Sequence, residues 1–228
     1  MEMVNANFNV QNLSNVAVNG VALVTGGAAG ISEETGFAFA EADASGVIFA
    51  TSTLRGPKRA QKRVNTIESE SVQAMVDLTI EEFGRIDYFV NSAGVKGRHG
   101  DERSLGLGCI VNLGSGLSYG AGPGMMAYVA SKHAVMGITK VAALDNAKHE
   151  IRVNALCPSW VKTPMLERSL ARWAGLEKVI QAVSPARRAA TPEEVANVAV
   201  FLCSPSATYV NGTGLLIDAG MMVTAHAS

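Results

Sequence analysis

The chain has few cysteines, almost no net charge and no apolar run long enough for a membrane, and each shortage removes a class of protein. Only Cys109, Cys157 and Cys203 occur among the 228 residues, widely spaced and two of them inside apolar runs. An odd number at such spacing fits neither a disulfide framework nor a metal site, so they read as reduced core residues of a cytoplasmic protein. His99, His133, His149 and His226 are equally scattered, and no metal is expected. A formal net charge of −1 offers no basic face to a nucleic acid. Residues 1–19 have neither a basic start nor a long apolar stretch, so a loose arm is expected there, with no signal peptide and no membrane contact.

What is present is apolar content in short, ordered pieces. Hydrophobic residues make up 48% of the chain and charged residues 17%, enough for one sizeable core and one domain over residues 20–225. Val21–Val24, Gly46–Ala50, Arg85–Val90, Ile110–Leu113, Ile151–Cys157 and Leu215–Gly220 read as strands. Helical stretches run from the glycine turn to Ala42, over Glu70–Phe83, from Met126 onward, and from Thr191, where Thr191, Pro192 and Glu194 take the N-cap, N1 and N3 positions. Strands alternating with helices predict an α/β fold with a doubly wound parallel sheet. Residues 164–190, with Met165, Leu166, Leu170, Trp173, Leu176, Val179 and Ile180 on a polar background, fit an amphipathic lid over a substrate.

The chemistry concentrates in residues 109–140. Ser115 stands just past the Ile110–Leu113 strand, where open α/β sheets place their sites. In the helix that follows, Tyr128 and Lys132 are spaced i, i+4 and share a face. An ammonium near a phenol favours the ionised form and suits the pair to proton exchange. Near the start, Thr25-Gly26-Gly27-Ala28-Ala29-Gly30-Ile31-Ser32 joins a strand to a helix, the arrangement that brings helix N–H groups to a pyrophosphate without an intervening Cβ.

Ser115, twelve intervening residues and Tyr128-Val-Ala-Ser-Lys132 resemble the active-site signature of the short-chain dehydrogenase/reductase family. The glycine turn is similar to that family's Thr-Gly-x-x-x-Gly-Ile-Gly, Asn91-Ser92-Ala93-Gly94 to its Asn-Asn-Ala-Gly, and Pro158-Ser-Trp-Val161-Lys-Thr163 to its Pro-Gly-x-Val-x-Thr. The resemblance implies Ser115, Tyr128 and Lys132 as catalytic residues. It implies a dinucleotide held by Gly26, Gly30, Ile31, Thr51, Arg55, Asn65, Asn91, Ala93, Gly94, Tyr128, Lys132, Pro158, Val161 and Thr163. Thr51 falls where the family commonly carries an acid for the ribose hydroxyls, so nothing there repels a 2′-phosphate and Arg55 is placed to pair with one. NADP(H) is therefore the expected cofactor, with NAD(H) the alternative. The implied partners are a hydrophobic small-molecule substrate and further copies of the chain, as a dimer or tetramer.

Two stretches depart from the family. Eighteen residues separate Thr51 from Glu70, where a crossover helix and a third strand belong, and about fifteen residues are missing. Val64-Asn65 is read as the remnant of the third strand. The fourteen residues Val95–Gly108 form a charged connector in place of a long helix that carries the family's relay Asn and builds its oligomer interface. Ser32 and Ser159 also replace family glycines. The expected activity is interconversion of a ketone and a secondary alcohol. The alternative, which these departures favour, is a retained fold whose redox activity is lost or replaced, as in a non-redox cyclase, an isomerase or a binding protein.

Overall fold

Val21–Thr25 forms β1, buried along its whole length, as a strand covered on both faces must be. In the computed structural model, which describes residues 17–26, 29–51, 61–63, 69–92 and 108–223, β1 lies inside a seven-stranded sheet. The other strands are β2 (Gly46–Thr51), β3 (Gln61–Arg63), β4 (Tyr88–Asn91), β5 (Cys109–Leu113), β6 (Arg152–Pro158) and β7 (Gly214–Ile217). Their order is β3-β2-β1-β4-β5-β6-β7, every pair parallel. The order turns back between β1 and β4, and the crevice beyond the carboxyl ends of those strands is where such sheets hold ligands.

Alternate side chains of each strand go to opposite faces, and the core divides accordingly. Ala22, Val24, Val90 and Val111 pack with Phe39 of α1 (Ile31–Glu41) and with Val195 and Ala199 of α6 (Pro192–Cys203). Leu23, Ile48, Ile110 and Val153 pack with Met75 of α2 (Ser69–Phe83) and with Ala142 and Ala143 of α3 (Met126–Asn146). Two short helices, α4 (Pro164–Arg172) and α5 (Leu176–Val183), follow β6 and bury Leu166, Leu176 and Ile180 against each other, with Trp160 and Leu170 alongside.

Some boundaries differ from expectation. The third strand is a three-residue strand ending at Arg63, just ahead of the Val64-Asn65 pair taken for its remnant. It has parallel neighbours on one side only, and an edge strand survives at that length because a single ladder suffices. β4 begins at Tyr88 rather than Arg85, because buried Asp87 spends its carboxylate on the Val21 N–H at 2.8 Å and on Arg85. Most of the N-terminal arm, Arg55, Asn65, Ala93, Gly94 and nearly all of the Val95–Gly108 connector lie outside the described residues. All three cysteines are buried with free thiols.

Candidate active site

Ser115 stands in extended backbone at the carboxyl end of β5, as N-cap of a 3-10 turn over Gly116–Ser118. Its Oγ accepts the Leu117 N–H at 3.2 Å, and its own N–H donates to Ser118 Oγ at 3.1 Å. With the oxygen already accepting, the hydroxyl hydrogen is what Ser115 has to offer a carbonyl oxygen. Only glycine fits before it: a Cβ on Gly114 would stand 2.7 Å from Cys157 Sγ, 3.0 Å from Ser118 Oγ and 3.1 Å from the Leu156 carbonyl.

Tyr128 and Lys132 occupy successive turns of α3. Lys132 Nζ lies 5.7 Å from the Tyr128 ring centroid and donates to the Leu113 carbonyl at 2.9 Å. Leu113 closes β5 just before Gly114-Ser115, so one ammonium links the tyrosine's helix to the serine's strand. Burial pushes the Lys132 pKa below the ordinary lysine value, which brings its proton closer to exchange. Tyr128 is 37% exposed and open to a ligand. The structure thus gathers the three candidate catalytic residues at one end of the sheet.

The glycine turn lies at the β1 side of the same edge. Gly26 and Gly30 have φ of 80° and 67°, a region that glycine enters without strain. A Cβ on Gly30 would meet Thr163 Cγ2 at 3.0 Å, so this turn touches the segment after β6. Among the described residues no side-chain cap bond is made at the start of α1, whose N-cap is Gly30, an arrangement that suits an anion. Ile31 packs against the core. Pro158 ends β6, Val161 is buried and bridges to Ala190, and the Thr163 hydroxyl caps α4 by accepting the Leu166 N–H at 3.4 Å. Thr25 Oγ1 accepts the Ser92 N–H at 3.1 Å and donates to Asn91 Oδ1 at 3.3 Å, tying β1 to the end of β4. A glycine cradle that a Cβ would fill, beside an uncapped helix start, fits a dinucleotide.

Four features escaped the sequence reading. Ser32, in place of a family glycine, is buried and bonded at 2.6 Å to Ser92, which itself replaces a family asparagine. The two departures accommodate each other. Arg63, the last residue of β3, is paired in register with Thr51, the last of β2. Asn112 Nδ2 donates to Thr139 Oγ1 at 3.1 Å, fastening β5 to α3. Ser118, three residues after Ser115, closes a capping box with it; that spacing was the one visible signal.

A parallel sheet in this order, with a glycine turn at its switch point and Ser, Tyr and Lys at the carboxyl edge, defines a nucleotide-dependent oxidoreductase fold. The family model described as short chain dehydrogenase matches residues 20–106, and the one described as Enoyl-(Acyl carrier protein) reductase matches 102–222. A short-chain dehydrogenase of Penicillium roqueforti is 34% identical over 89% of this chain and 96% of its own length. A 2,5-dichloro-2,5-cyclohexadiene-1,4-diol dehydrogenase of Sphingobium indicum is 34% identical over 87% and 95%. Among solved structures, aldohexose dehydrogenase of Thermoplasma acidophilum superposes with a TM-score of 0.81 at 28% identity, covering 92% of this chain and 96% of the other. Levodione reductase does so with a TM-score of 0.81 at 27% identity, covering 90% and 98%. The chain belongs to the short-chain dehydrogenase/reductase family, whose members use NAD(P). The match to the Penicillium protein extends over 264 aligned positions, longer than the 228-residue chain itself, so it opens gaps on this side, as the two shortened stretches lead one to expect.

Proposed function

We propose that the protein is an NADP(H)-dependent oxidoreductase that interconverts a ketone and a secondary alcohol on a hydrophobic small molecule. The observation that carries this reading is Lys132 Nζ, bonded to the Leu113 carbonyl and close to the Tyr128 ring, at the strand end that bears Ser115. In reduction, Tyr128 gives its phenolic proton to the carbonyl oxygen while the Ser115 hydroxyl donates to the same oxygen and holds it in place. In oxidation both roles reverse. Lys132 holds positive charge beside the phenol and is placed to bind the nicotinamide ribose. Nicotinamide, when bound, supplies or takes the hydride. Gly26, Gly30 and Ile31 cradle the pyrophosphate, Asn91 lines the adenine side, and Pro158, Val161 and Thr163 hold the carboxamide end.

Preference for NADP(H) over NAD(H) is supported by Thr51 in the acid's place and by Arg63 beside it in register. A hydrophobic substrate is supported by the amphipathic segment that holds α4 and α5, with Met165 and Trp173 exposed at 64% and 54%, as side chains of a lid over residues 164–190 would be. The cyclic diol in the name of the Sphingobium relative points the same way; the aldohexose relative points to sugars. A homo-oligomer in the cytoplasm is part of the proposal, supported by Met126, Val141 and Leu144 standing exposed on α3. The test is NADPH oxidation against a panel of cyclic diketones, aromatic ketones and aldohexoses, with Tyr128→Phe as control. Turnover of the cyclic ketones, lost in Tyr128→Phe, supports the reading; preference for sugars sinks the substrate class.

A further inference from the structure

Ser118 is a small, buried hydroxyl between the two halves of the catalytic arrangement. Its Oγ accepts the Ser115 N–H at 3.1 Å and its hydrogen goes to the Lys132 backbone carbonyl at 2.9 Å. Lys132 is therefore tied twice to β5 and the turn after it: at its carbonyl by Ser118, and at its Nζ by the carbonyl of Leu113, the last residue of β5. The Lys132 carbonyl keeps its place as an acceptor within α3 whatever stands at 118, but without Ser118 the buried Ser115 N–H loses its oxygen acceptor and is left with the poorer sulfur acceptor Cys157 Sγ, a loss that buried groups tolerate poorly. The underside of this bridge is crowded, since Gly114 carries no Cβ that would meet both Cys157 Sγ and Ser118 Oγ. The two bonds of the Ser118 hydroxyl set how far α3 stands from the serine's loop.

We propose that Ser118 is the positioning residue of the active site, holding Ser115 and Lys132 in register so that the serine hydroxyl, the tyrosine and the ammonium act on one oxygen. The inference rests on the roles proposed above for Ser115, Tyr128 and Lys132. Misplacement by about 1 Å is enough to lower a rate by up to about a hundredfold. The titratable neighbours of Lys132 are Tyr128 on its own helix and Cys157 on β6.

The test compares wild type, Ser118→Ala and Ser118→Thr by two readouts. The first is isotope-labelled dimethyl-lysine NMR of the full chain, with the Lys132 signal assigned through Lys132→Met. In Ser118→Ala the Lys132 titration is expected to rise toward that of an ordinary solvated lysine, and Ser118→Thr restores it. The second is kinetic: kcat for ketone reduction at saturating NADPH falls by about tenfold to a hundredfold in Ser118→Ala, and threonine rescues it. A melting temperature that falls while the Lys132 titration and kcat stay as in wild type overturns the proposal and makes Ser118 an ordinary cap. If Ser118→Ala does not fold, Ser118→Cys, a poorer hydrogen-bond partner, takes its place, and an unchanged Lys132 titration there is equally fatal. A wild type that binds no NADPH defeats the oxidoreductase reading instead, and the NMR readout still decides the role of Ser118.

Discussion

At the scale of single residues, the site depends on atoms that are missing as much as on those present. Gly114 is the sharpest case, because the nearest neighbours of an added Cβ include the Leu156 backbone carbonyl and two buried side chains, none of which can swing away. Gly114→Ala is expected to lower stability by about 1–3 kcal/mol through overpacking and to shift Ser115; urea unfolding measures the first effect and turnover the second. Gly137 offers the opposite case: it lies mid-helix in α3 with nothing within 4 Å of an added Cβ. Gly137→Ala is expected to stabilise by about 0.5–1 kcal/mol, since glycine is a poor helix former; a destabilised melt there would mean that this face of α3 is covered in solution. The Ser32–Ser92 pair shows why single positions misled the sequence reading. Each serine alone looks like a lost family residue, and only the fold brings the two hydroxyls to 2.6 Å.

At the scale of elements, helix α6 is held at its start by several bonds that can be separated by pH. Thr191 caps the helix, accepting the Glu194 N–H at 3.4 Å, while Glu194 reaches back to the Thr191 N–H at 2.8 Å and pairs with Arg188. The Arg188 hydrogen bond, and then the Thr191 N–H, pull the Glu194 carboxyl down to about 2 from the ordinary 4.5. A carboxyl depressed by folding adds stability above the unfolded value and loses it as pH falls from about 4.5 toward about 2. Both side chains are nearly half exposed, so screening keeps the contribution to about 1 kcal/mol or less. Glu194→Gln should flatten stability across that acid window, and Thr191→Ala should cost about 1 kcal/mol at neutral pH; thermal melts at several pH values check both. These elements were legible in advance because their signals are local: the cap residues of α6, the i, i+4 pair of α3, the short apolar strands, the glycine turn. Residues 61–63 of the third strand were not legible because Gln61-Lys-Arg63 carries no apolar alternation; Val64-Asn65 lies outside the described residues. The strand's pairing with β2 supplies what the residues themselves do not declare.

At the scale of the whole molecule, the sheet sets two half-sites side by side. The β1–β4 switch point offers a glycine cradle, and the β5–β6 ends offer Ser115, Tyr128 and Lys132. Gly30 of the cradle lies beside Thr163, just after β6, so closely that an added Cβ would stand 3.0 Å from its Cγ2. Motif order along the chain made that plan readable. The side-chain couplings that hold it, Ser118 to Lys132 and Asn112 to Thr139, join residues whose proximity depends on how α3 lies on the sheet, and spacing alone does not reveal it. The account stands or falls on dinucleotide binding. The most direct measurement is titration of the purified protein with NADPH and with NADH, followed by nicotinamide fluorescence and by thermal unfolding. The account predicts saturable binding of both with NADPH the tighter, and about 2.7 kcal/mol of added stability at a hundred times the Kd. Absence of binding by either nucleotide would contradict it, and would mean that the shortened stretches around β3 and before β5 have left the fold without its cofactor.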